Sequence, residues 1–171
     1  MASCQPGFHK IALTQNLSCT YTKLWRWKYL YRAVDKQANT IDFLLSEHRD
    51  IGAAKRFFTQ ATDKHGAPEK ITVDGYPATH SAIAELKKSG MLPRQVVVRT
   101  SKYLNNLIEQ DHRRVKQRVY PMLGFKRFEN AAVTISGIEL AHKIKKGQFD
   151  TSSLTLSEER APQVWEAVLA A

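Results

Sequence analysis

Residues 27–47 read WKYLYRAVDKQANTIDFLLSE. Two apolar runs, 27–35 and 40–47, flank the polar stretch Lys36-Gln37-Ala38-Asn39. The first run is rich in aromatic and β-branched residues, and a short polar turn between two such runs predicts a β-hairpin. Neither run alternates cleanly between apolar and polar positions, so both strands are expected to be covered on both faces. Upstream, residues 21–24 read as the end of an earlier strand. Residues 1–16 (MASCQPGFHKIALTQN) show weak patterning and are expected to form a poorly ordered leader.

Downstream of the hairpin the period changes. Asp50 is placed to cap a helix in which Ala53, Ala54, Phe57, Phe58 and Ala61 recur at helical spacing, with Gly66 and Pro68 ending it. Residues 70–74 (KITVD) form a short strand closed by a carboxylate. A second helix follows Gly75 and Pro77 and carries Ile83, Leu86 and Lys87 before Gly90, and residues 95–99 (QVVVR) form the next strand. A helix from about Leu104 puts Leu104, Ile108, Val115 and Val119 on its buried side until Pro121. The last regular helix runs from about Phe128 through Ala131, Ile135, Ile138 and Ala141 to Lys145. Past Gly147 the chain is polar, with one short apolar helix over 164–169. Strands first, then alternating helix and strand, then helices, define an α/β sheet with helices on both faces.

The 171 residues suffice for one domain with a tail. Lys and Arg total 26 against 16 Asp and Glu, a net charge of +10. That surplus favours a polyanionic partner such as nucleic acid, although a merely basic protein would show it equally. No run of eighteen apolar residues occurs, so no membrane-spanning helix is expected. Cys4 and Cys19 lack metal-ligand spacing and no signal-like segment precedes them, so a reduced, cytoplasmic protein is the expectation. His9, His48, His65, His80 and His142 share no spacing and read as surface or packing residues. Trp25, Trp27 and Phe125 read as core.

Asp74 closes a buried strand, where α/β proteins place functional groups. Taken alone it would equally serve as a helix cap. Glu109 lies in the run KYLNNLIEQDHRRVKQR, residues 102–118. On a helix, Asn105, Glu109, His112 or Arg113, and Lys116 share one polar stripe, while Ile108 and Val115 occupy a neighbouring apolar one. A carboxylate followed by cations one and two turns later suits a metal beside phosphates. A solvated face with Glu109–Arg113 and Glu109–Lys116 pairing fits the same pattern.

The segments WKYLYRAVD (27–35), ITVD (71–74), KYLNNLIEQDHRRVKQR (102–118), LGFKRF (123–128) and GIELAHKIKKGQ (137–148) together resemble bacterial insertion-sequence transposases. The resemblance covers residues 20–148 and implies a ribonuclease-H-like integrase core with an Asp, Asp, Glu active site. Its fold would be a mixed sheet with helices on both faces, followed by C-terminal helices. Whether the N-terminal strand is complete stays open. In the matching subgroup 34 residues separate the second Asp from the Glu, as they do Asp74 from Glu109 here. The resemblance therefore implies Asp74 and Glu109 as catalytic residues and metal ligands, and Lys102, Asn105, Arg113 and Lys116 as DNA-binding residues. It implies Mg²⁺ or Mn²⁺ as cofactor, since two such ions about 4 Å apart bracket a scissile phosphate through hard carboxylate oxygens. DNA, both transposon ends and target, would be the partner, with a homo-oligomer as the active form and the bacterial nucleoid as the location. The domain division is a leader over 1–16, the integrase core over 17–148 and a tail over 149–171.

One element departs from the family pattern. Members carry the first Asp in an Asp-Glu-Thr-Tyr segment before the Trp-containing strand. Aligning Thr20 and Tyr21 puts Ser18 at the Asp position and Cys19 at the Glu position, and the stretch from Tyr21 to Trp27 is one residue short. A neutral hydroxyl cannot replace a bridging carboxylate. Asp35 and Asp42 have structural explanations at the hairpin's turn and pairing edge. The upstream helix-turn-helix of the family is also missing. The expectation is a truncated or frame-disrupted copy, inactive alone. The alternative is a non-catalytic DNA-binding or dimerising remnant.

Overall fold

A computed structural model describes residues 28–35, 37–101, 113, 115–122, 125–149 and 165, together with the backbone of 11–14. Five strands form one sheet in the order β3-β2-β1-β4-β5. They are β1 (Ile11–Thr14), β2 (Tyr29–Val34), β3 (Thr40–Ser46), β4 (Lys70–Val73) and β5 (Val97–Thr100). β1 pairs antiparallel with β2 and parallel with β4, and β4 pairs parallel with β5.

The hairpin forms where the sequence places it. β2 and β3 pair antiparallel from Tyr29↔Ser46 to Val34↔Thr40. Asp35 organises the turn: its Oδ1 accepts from the backbone N–H of Gln37 (2.9 Å) and Asn39 (2.8 Å), and its Oδ2 from the Asn39 amide (3.0 Å). A carboxylate satisfying backbone donors in this way competes successfully with a continued strand. Asp42, buried on β3, accepts from Gln60 (2.8 Å) and Lys64 (3.3 Å) on the first helix. Both acids are thus committed to structure.

Helix α1 (Ile51–His65) starts at Asp50, whose Oδ1 accepts from Ala53 N at 2.7 Å, and ends at Gly66, whose φ of 80° a side chain would strain. Ala53, Ala54, Phe57, Phe58 and Ala61 are all buried, as their spacing requires. With α2 (Pro77–Lys88) they cover one sheet face, meeting Tyr31, Ala33, Ile41, Ile71 and Val73. The other face is covered by α3, described at 113 and 115–119, and by α4 (Phe128–Lys145). Val115, Val119, Phe125, Ala131, Ile135 and Ile138 pack there against Leu30. Burial of each large side chain contributes on the order of 1.5–3 kcal/mol. Leu30 and Tyr31, adjacent in β2, therefore serve opposite cores, so the strand is buried on both faces.

Arg32 sits in the middle of β2 and is fully buried. Its guanidinium donates to Glu139 of α4 at 2.8 Å and to Thr40 at 3.1 Å. Gln148, just past α4, both donates to Thr40 O and accepts from Thr40 N, each at 3.1 Å. The segments around residues 30 and 140 are thus held together by polar contacts across more than a hundred positions of sequence.

Two boundaries differ from the sequence reading. Residues 11–14, assigned there to a poorly ordered leader, form the central strand, because neighbours on both sides complete their backbone pairing. β5 begins at Val97 instead of Gln95 because Val96 N bonds back to Pro93 O at 3.2 Å, closing a turn. Residues 21–24, Trp25, Trp27 and the short helix expected over 164–169 fall at positions outside the described residues, Trp165 excepted. No helix among the described residues is long and apolar enough to cross a membrane.

Candidate active site

In this sheet the chain leaves β1 toward β2 on one side, and leaves β4 toward β5, through α2, on the other. The two parallel neighbours β1 and β4 therefore straddle the point where the connections diverge, and a crevice at their carboxyl ends is where such sheets bind ligands. Asp74 stands there, immediately after Val73.

The surroundings of Asp74 come from three loops. Arg49, between β3 and α1, places a guanidinium nitrogen 3.3 Å from Asp74 Oδ2, and both side chains are 21% exposed. Tyr76 N donates to Asp74 Oδ1 at 3.3 Å. The Tyr76 ring lies under the guanidinium, 3.6 Å from its centroid, and the Tyr76 hydroxyl donates to Arg49 O at 3.1 Å. Arg49 is thus held by a carboxylate, a ring face and a backbone tie. Behind this cluster, burial pushes the Tyr31 phenol up to about 12; Asp50 adds to the rise and Arg49 opposes it. On the β5 side Ser101 N bonds to Val73 O at 3.2 Å, and His80 Nε2 lies 3.4 Å from Thr100 Oγ1.

β1 supplies the other wall. Its parallel register with β4 pairs Ile11 with Ile71 and Ala12 with Thr72. Continued at the same offset, that register brings Thr14, the last residue of the strand, level with Asp74. No Asp or Glu occurs before Asp35 anywhere in the sequence, so neither β1 nor β2 contributes a carboxylate. Ser18, aligned with the first acidic position by resemblance, lies outside the described residues, as do Cys19, Lys102, Asn105 and Glu109. Arg113 and Lys116 are exposed on α3, while Val115 and Val119 of the same helix are buried. Arg49 and Tyr76 were not singled out from sequence, where the signal was slight: one cation beside a helix cap and one aromatic beside a proline.

The sheet order and the placement of Asp74 define a ribonuclease-H-like fold of the integrase-core type. Solved structures agree. The catalytic core domain of HTLV-2 integrase in complex with magnesium (trimeric form) matches with a TM-score of 0.57 at 15% identity, covering 92% of this chain and 96% of that one. A chain of the simian T-cell lymphotropic virus intasome in complex with PP2A regulatory subunit B56 gamma matches with a TM-score of 0.58 at 16% identity, over 78% of this chain and 47% of that one. At such identities the likeness is one of fold.

Sequence narrows the assignment. The family model DDE_Tnp_IS240, a DDE domain, matches residues 15–148, and the chain belongs to that family. It is 38% identical over 128 residues to the transposase for insertion sequence-like element IS431mec of Staphylococcus aureus. It is equally similar to the transposase for insertion sequence element IS257 in transposon Tn4003 of the same species. The match covers 74% of this chain and 55% of each relative, so the chain spans about half the length of the curated relatives it matches.

The described residues that line this crevice do not by themselves make up a two-ion centre. Among the described residues no group of three or more potential ligands converges. Of the described residues, Asp74 is the carboxylate at the strand ends, and Arg49 opposes its charge.

Proposed function

We propose that this chain is the catalytic-core part of an insertion-sequence transposase, built for cutting and joining DNA strands, whose own chemistry is impaired because it lacks the first carboxylate. Asp74 and Glu109 are its second and third acidic positions. Lys102, Asn105, Arg113 and Lys116 are its DNA contacts. A divalent ion, Mg²⁺ or Mn²⁺, would find ligands in Asp74 and Glu109 but no bridging group. The homo-oligomer and the nucleoid location belong to the same reading.

The observation that carries it is the DDE-family match over residues 15–148 in a sequence that holds no Asp or Glu before Asp35. The net charge of +10 and the exposed Arg113 and Lys116 support contact with a phosphate backbone. Such contacts release counterions, so affinity falls linearly with the logarithm of salt concentration. Fluorescence anisotropy with a labelled duplex, read across a salt series, tests this. Lys116→Ala and Arg113→Ala should each flatten the slope by about one unit, uniformly across DNA sequences. Binding that ignores salt, or variants that leave the slope unchanged, would remove the DNA-engaging half of the proposal.

A further inference from the structure

Among the described residues Asp74 is the carboxylate of this crevice, and its charged neighbour is a cation. A guanidinium already stands 3.3 Å from its Oδ2. That guanidinium is not a chance surface partner. Its flat face rests on the Tyr76 ring at 3.6 Å, and Tyr76 reaches back to Arg49 O at 3.1 Å. Tyr76 also donates its backbone N–H to the second oxygen of Asp74. One tyrosine therefore positions the cation and the anion together, and both are four-fifths shielded from water. An ion pair so shielded is screened far less than one at the surface.

From this arrangement we infer that Arg49 is a positioning residue that serves as a built-in counter-ion for Asp74 and suppresses divalent-cation binding at the crevice. The inference rests on the reading of Asp74 as an acidic position of the metal site. Asp74 and Arg49 together are neutral. A hard dication approaching Asp74 must either displace the guanidinium from its ring and tie, or sit beside a like charge. A bridging carboxylate from the N-terminal segment would offset that repulsion, but the sequence holds no Asp or Glu before Asp35. Arg49 thus takes the electrostatic part that a metal ion takes where the acidic set is complete. No proton changes hands in this exchange; one cation replaces another.

The test is a titration of the full chain with Mn²⁺, following the electron paramagnetic resonance signal of the free ion. Removing a like charge from beside an approaching dication strengthens its binding, and partial exposure keeps the gain modest. Arg49→Gln is therefore expected to bind Mn²⁺ about tenfold tighter than the unaltered chain, while Arg49→Lys, which keeps the charge, stays close to it. Tyr76→Leu, which removes the ring and the hydroxyl, should give a smaller gain and guards against misfolding of the Arg49 variant. Adding Asp74→Asn to Arg49→Gln should abolish the gain. Equal affinity in Arg49→Gln and the unaltered chain, with Asp74→Asn weakening both, would overturn the role of Arg49 and leave Asp74 as a ligand. A gain that persists in the Asp74→Asn background would instead overturn Asp74.

Discussion

Replacing Glu139 by alanine should be among the most damaging single changes outside the apolar core. Glu139 lies 2.8 Å from Arg32, and both side chains are wholly shielded from solvent. The substitution removes a carboxylate from a guanidinium that stays behind in the interior. Breaking a buried pair from one side costs about 3–5 kcal/mol, because the remaining charge loses its partner without regaining water. For a chain of 171 residues that corresponds to a drop in Tm of roughly 6–20 °C. The molecule supplies its own control. Lys55 and Glu85 pair at 2.9 Å, nearly the same separation, but their side chains are 41% and 48% exposed. Glu85→Ala should cost less than about 1 kcal/mol. Urea unfolding of both variants, with m held constant, gives the comparison directly. The joint change Arg32→Met with Glu139→Leu should recover most of the loss, since neither charge of the pair is then left without the other. Equal costs for the two glutamates would refute the claim that burial, not distance, sets the value of these pairs.

Three further outcomes follow from other parts of the fold. Phe57→Ala, at a fully buried ring stacked 5.8 Å from Tyr31, should cost about 3–5 kcal/mol by calorimetry. Asp50→Ala removes the acceptor for Ala53 N and should cost about 1 kcal/mol, read as earlier exchange of amides in the first turn of α1. Tyr31 carries a phenol raised to about 12, so its neutral form is favoured in the folded chain; the stability it supports is complete below pH 10 and lost as pH rises toward 12. Tyr31→Phe should therefore lose less stability across that window, and an identical alkaline unfolding curve would remove the assignment.

Much of this architecture was legible in order along the chain. The hairpin and α1 are local: their turn acid, cap, apolar period and terminal glycine all lie within the elements they shape. Asp74 was legible as a strand terminus followed by a proline-initiated helix. What escaped was non-local. Ile11–Thr14 is a strand because β2 and β4 lie on either side of it, a condition that no property of the four residues IALT announces. Arg32 and Glu139 each stand as a single charge in an apolar run, and their partnership spans 107 positions. Arg49 and Asp74 are 25 positions apart and meet because β3 and β4 end on the same edge of the sheet. The shift of β5 has a local cause, the Val96–Pro93 turn, that three successive valines obscured.

The central claim is that a DDE-family core without the first carboxylate cannot join DNA by itself. The direct measurement is a strand-transfer reaction with the purified chain, a pre-cut element-end oligonucleotide and a target duplex, in Mg²⁺ and separately in Mn²⁺. No joined product is predicted in either metal, at protein concentrations that saturate the DNA. Robust joining that disappears with Asp74→Ala would contradict the account, because it would mean that two acids and a hydroxyl suffice.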